Sequence, residues 1–147
     1  MSNDIPPAPD LDRLCLEQMA DALIYCDRQG RIVRWNTAAA ALFGFAPQAA
    51  LGQSLDLIIP ENLRLPHWAG FERAMKTGVL RLNGEATVTR ALTADGRSIY
   101  VEMSFALVSD GAGRAIGSVA IARDATRRRE ELRQLRERLA ALTPGAA

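Results

Sequence analysis

Two short, mostly apolar runs near the N-terminus, ALIYCD at 22–27 and RIVRW at 31–35, are rich in Ile, Val, Tyr and Trp. The intervening Arg28, Gln29 and Gly30 supply turn chemistry, so the pair predicts a β-hairpin. A period of two marks EATVTRALTADGRSIYVEMSFALV, where ADG is a second hairpin turn. SDGAGR is a third turn, followed by the alternating run AIGSVAIAR. The pattern therefore predicts two strands, then three.

The segments between and around them repeat at helical spacing. Asp10 caps a helix through about Ala20, with Leu11, Leu14, Cys15, Gln18 and Met19 on one face. That stripe must be buried against its own domain or against a partner chain. Asn36 is a good N-cap for TAAAALFG, and Pro47 opens another short helix that Gly52 ends. A further helix is expected from near Leu65 to Lys76, with Pro66 in its first turn and Thr77 and Gly78 at its end. From Arg127 to Leu142 nothing breaks a helix, and Leu132, Leu135, Leu139 and Leu142 are spaced as a coiled-coil seam. Helices inserted after the second of five antiparallel strands predict an α+β domain, the helices packed on one sheet face. The expected organisation is a disordered lead-in at 1–9, a leading helix at 10–20, a core at 21–124, a trailing helix at 125–142 and a tail at 143–147.

Composition narrows the function classes. Eighteen basic residues against seventeen acidic ones in 147 leave no global pull toward nucleic acid or anionic membrane. No run approaches the roughly 18 apolar residues of a membrane helix, and the proline-rich start does not read as a secretory signal. Cys15 and Cys26 are too few for a disulfide framework and lack zinc spacing. A cytoplasmic setting is expected. The arginines of RDATRRREELRQLRERL are interleaved with glutamates around the leucines, which suits a solvated dimer flank better than a DNA-binding helix.

The ordered set D-x-x-G-x-I-x-x-W-N, A-x-x-L-F-G, ADGRSIYVEMSFALV and GSVAIARDAT resembles the PAS family over about residues 12–142. The resemblance implies a PAS fold: a five-stranded antiparallel sheet, a ligand-sized cavity between sheet and helices, and a homodimer made by flanking helices. It implies a sensory signalling module and not an enzyme, either joined to an output domain or acting on a partner protein in trans. A ligand-free interaction module is the competing reading. RDAT resembles the family's junction before its signalling helix, where Asp124 or Thr126 could accept a bond from a helical N–H, as a hinge or simply as a cap.

The chain's single histidine gives the most specific expectation. His67 shares a helix face with Gly70, Phe71, Ala74 and Met75, so its imidazole is expected to face the sheet. A place near the positive N-terminal end of that helix would favour the neutral, metal-competent ring. The stretch from Pro60 to His67 resembles the oxygen-sensing haem PAS domains in spacing. By that resemblance His67 would bind haem iron, Arg73 would contact a propionate, and Arg64 and Phe71 would flank the group. The haem would then lie against strands carrying Val88, Met103, Phe105, Val119 and Ile121. The gas-side arginine and the sixth-ligand methionine of that subclass would fall near Thr87 and Glu85, so gas selectivity does not carry over. The cofactor expectation is haem b, another small molecule, or none. AALGQSLDLIIP lacks the cysteine that flavin adduct photochemistry needs. Neither a nucleophile–base pair nor a phosphate loop is evident, which argues against an enzyme.

Overall fold

Strand β1 (Ala22–Asp27) folds back on β2 (Ile32–Trp35) because the Asp27 carboxylate organises the turn. Its Oδ1 accepts from the backbone nitrogens of Gln29 at 2.9 Å and Arg31 at 3.0 Å. Gly30 takes φ +76°, a left-handed conformation that costs other residues free energy. The computed structural model describes residues 8–82, 84–143 and 145. The lead-in expected at 1–9 lies outside them except for its last two residues, and of the tail only 143 and 145 are included.

Three longer strands complete the sheet: β3 (Thr87–Leu92), β4 (Ser98–Ser109) and β5 (Ala115–Asp124). The order is β2-β1-β5-β4-β3 and every pairing is antiparallel. The chain crosses from one sheet edge to the other through α2 (Thr37–Phe43), α3 (Pro47–Ala50), a 3-10 turn (Leu55–Leu57) and α4 (Glu61–Thr77). Phe43, Ala39, Ala50 and Ile58 pack with Ile24, Val101 and Ala122 in a single core cluster. This is the α+β architecture that the alternation predicts.

Asn36 joins the two layers. It is 2 % exposed, yet all its hydrogen-bonding capacity is used. Its Oδ1 accepts from Leu23 N and Ala39 N, both at 2.9 Å, and its Nδ2 donates to Leu16 O at 2.8 Å and Asp21 O at 3.1 Å. One side chain thus caps α2 and holds both the start of β1 and the end of α1 (Leu11–Gln18).

One helix departs from expectation. Helix α4 begins at Glu61, four residues earlier than the proline rule suggests, so Pro66 lies inside it and leaves the Asn62 carbonyl without its usual amide partner. His67 is then the seventh helical residue, beyond the first turn in which the helix dipole acts. The amphipathic stripe of α1 buries no residue within this chain, and Leu11 and Leu16 are exposed.

Helix α5 (Thr126–Leu142) leaves the sheet at β5 and is anchored to β4. Ala125 N donates to Tyr100 O at 2.8 Å, and Tyr100 N donates to Thr126 Oγ1 at 3.2 Å. Asp124 Oδ1 accepts from Thr126 N at 2.8 Å. The Arg129 guanidinium sits 4.1 Å from the Tyr100 ring centroid, and Arg128 reaches Glu102 at 3.2 Å. Leu132, Leu135, Leu139 and Leu142 are all exposed.

Candidate functional site

Residues facing one another across the sheet share a side. Ile24 opposes Ala120, which opposes Phe105; Cys26 opposes Ser118, which opposes Leu107. The central strand therefore presents small side chains where its neighbours present large ones. Helix α4 spans this gap with Leu63, His67, Gly70, Phe71 and Ala74, a three-four spacing that keeps one face inward. The space left between helix and sheet is a cavity of about 410 Å³. That lies within the range typical of small-molecule sites.

His67, Phe71, Met103 and Phe105 line this cavity. Five other expected residues do not. Val119 and Ile121 point to the opposite face, because Ala120 pairs with inward-facing Phe105 and Ala122 with Met103. Val88 is exposed, and its neighbours Thr87 and Thr89 line the cavity instead. In a strand a one-residue offset moves every side chain to the other face. Arg73 is exposed and outside the lining. Arg64 also lies outside it, its guanidinium donating to Ile59 O at 3.0 Å and Asp56 O at 3.3 Å. Reading the small residues of GSVAIA as the inward set would have found Ser118 and Ala120.

The imidazole of His67 is partly buried. Its Nδ1 is out of contact with solvent and has no hydrogen-bond partner among the described residues. Burial holds its pKa below the usual imidazole value, with the Asp56 carboxylate pulling the other way. The ring is thus neutral at pH 7 and retains a nitrogen lone pair. Trp68 meets it edge-on at 4.8 Å between centroids, and Phe71 stacks at 6.2 Å. Trp68 Nε1 in turn donates to Asp56 Oδ1 at 2.8 Å, so the helix is tethered beside the histidine. Cys26, also on the cavity wall, has its thiol pushed up to about 11 by burial.

These features test the fit to haem. Among the described residues no group of three or more His, Cys, Asp or Glu gathers in a way that could hold a metal ion. A metal at His67 would have to bring its remaining ligands, as a macrocycle does. The apolar walls and the neutral imidazole fit such a group; the unpartnered Nδ1 lacks the acceptor that usually orients a ligating histidine. Among the described residues, no helix is long and apolar enough to cross a membrane.

The family model described as the PAS fold matches residues 16–130. The sensor protein FixL of Bradyrhizobium diazoefficiens is 28 % identical over 99 residues, covering 67 % of this chain and 20 % of that protein. The oxygen sensor protein DosP of Escherichia coli is 27 % identical over 123 residues, covering 82 % of this chain and 15 % of that protein. Among solved structures, an RNA-binding light-oxygen-voltage receptor superposes with a TM-score of 0.74 at 25 % identity, covering 96 % of this chain and 40 % of that one. The chain spans about a fifth or less of the length of the curated relatives it matches.

Proposed function

This chain belongs to the PAS family, and on that premise we propose that it is a sensory module whose cavity binds a small molecule and whose trailing helix reports occupancy. The observation that carries the proposal is the apolar cavity with a neutral imidazole in its wall whose buried Nδ1 has no partner among the described residues. A buried polar group without a partner costs about 1–3 kcal/mol, and a bound molecule that satisfies it recovers that cost. Haem is the specific candidate. His67 would ligate its iron, and Phe71, Met103 and Phe105 would pack against its apolar body. When bound, haem would supply a redox-active iron able to bind a small gas. The oxygen-sensor relative supports that candidate by similarity.

Occupancy changes the packing on the inner side of β4, and the anchor residues of α5 stand on the same strand. The exposed leucines of α5 would pair with a second copy of the chain, giving a homodimer whose helix packing depends on the ligand. The exposed seam also supports a second reading, a ligand-free dimerisation module acting on a partner protein in trans.

An absorption spectrum separates the two. Protein from haem-sufficient cells, or titrated with haemin, should show an intense Soret band that His67→Ala removes or shifts. A spectrum unaltered by haemin would reject haem, and mass spectrometry of the denatured protein would then reveal any other organic ligand.

A further inference from the structure

The two edges of the inward face of α4 differ. At roughly 100° per residue, Trp68 lies on one side of His67, and Pro66 and Gly70 lie on the other. The Trp68 edge is closed: its indole packs against Gly30 and donates to Asp56 Oδ1 at 2.8 Å. Pro66 and Gly70 line the cavity and are nevertheless exposed. Arg81 and Leu82, in the connection that follows α4, are likewise exposed members of the lining. Arg90, the remaining exposed one, pairs with Tyr100, which turns its side chain to the opposite sheet face. The cavity therefore meets solvent between the Gly70 edge of α4 and the start of that connection.

Gly70 stands in the interior of a 17-residue helix. A glycine there costs helix stability relative to alanine, because it loses more backbone freedom on folding. Nothing in the packing calls for it. Its backbone is helical, not left-handed, and a methyl group added to it would meet no atom within 4 Å. Nor does the proline require it, since the Pro66 ring crowds the Asn62 carbonyl on the preceding turn. What the missing side chain leaves is open space at the exposed edge of the cavity. We infer that Gly70 keeps a portal open, and that the ligand enters and leaves between α4 and Arg81–Leu82. This deepens the proposed function and rests on that reading of the cavity. The walls behind the portal are mostly apolar, so a hydrocarbon or aromatic body gains by passing it, whereas a charged group sheds its hydration for little return. A side chain grown from position 70 raises the barrier to passage in both directions. Entry and exit then slow together, and affinity holds.

The test measures rates with two probes, Nile red as a neutral aromatic dye and haemin. Stopped-flow mixing gives association and dissociation rate constants for wild type, Gly70→Leu and Ala69→Leu. Ala69 is the exposed neighbour of Gly70 on α4 and lies outside the cavity lining. For each probe that wild type binds, Gly70→Leu should slow association and dissociation alike by about tenfold, with Kd held within about twofold. Ala69→Leu should leave both rate constants unchanged. Unaltered rates in Gly70→Leu, a changed Kd at an unaltered association rate, or equal slowing by Ala69→Leu overturns the portal and leaves a ligand-binding cavity in place. If wild type binds neither probe, the cavity reading falls and this inference falls with it. Gly70→Ala supplies a check that needs no probe. It should raise the denaturant midpoint, as alanine does in a helix where nothing crowds it. A lowered midpoint would show that packing demands the glycine, and would overturn the inference.

Discussion

Trp68 covers Gly30 so closely that a methyl group on that glycine would lie 2.2 Å from the indole ring. The contact joins α4 to the first hairpin turn, residues that are far apart in the chain. Gly30→Ala must both occupy a left-handed backbone conformation and displace the ring, so it should destabilise the fold by about 2–4 kcal/mol. Denaturant unfolding measures this. Combining it with Trp68→Ala should recover the steric part but leave the backbone cost. A loss under 1 kcal/mol for Gly30→Ala alone, on the order of an ordinary surface change, would show that the ring has room to move.

The pH response follows from His67. Its pKa in the folded chain is depressed by burial, so the unfolded chain takes up a proton that the native chain resists. The contribution of His67 to stability should be constant above about pH 7 and fall as pH drops below the ordinary histidine pKa of about 6.5. His67→Gln should flatten that part of the profile. A melting temperature with the same slope between about pH 7 and pH 5 in both proteins would place the titrating group elsewhere.

The two thiols should behave differently. Cys15 is exposed, whereas Cys26 is buried on the cavity wall with its thiol pushed up to about 11. The thiolate is the reactive form, so at pH 7.5, roughly one unit below an ordinary thiol, native protein should release one equivalent of thionitrobenzoate rapidly. The second should appear only on denaturation. Rapid labelling of both would mean that the cavity opens readily to solvent.

Asn36→Ala removes a helix cap and deprives the buried Leu23 amide and the part-buried Leu16 and Asp21 carbonyls of their side-chain partner. The expected loss is about 3 kcal/mol in equilibrium unfolding. Asn36→Asp keeps the acceptor but not the donors, and should fall between alanine and wild type.

Leu135→Arg addresses the seam. If α5 forms the dimer, the variant should weaken association at least about tenfold in analytical ultracentrifugation. An unchanged mass would direct attention to α1, where Leu11 and Leu16 are also exposed.

The sheet, its hairpins and α5 were legible because alternation and leucine spacing are local signals. The inner face of α4 was legible for the same reason: once a helix exists, residues at three- and four-residue spacing share a side. The inner face of β5 was not. Val119 and Ile121 look like core residues, and only pairing to Phe105 and Met103 turns Ala120 and Ala122 inward. The hollow depends on those small side chains, and hydrophobicity alone favours filling a core over leaving a gap. The start of α4 was misplaced because Pro66 suits a first turn; it sits instead in the second, at the loss of one backbone bond.

Tyr100 is held to α5 through two backbone groups, while Met103, three residues along the same strand, touches the cavity. Only about 10 Å of extended chain separates the two. Under the proposed function, a guest that tilted β4 even slightly would swing the far end of a 17-residue helix through a larger arc. The helix would then serve as a stiff lever, with its fulcrum at a tyrosine and its long arm exposed.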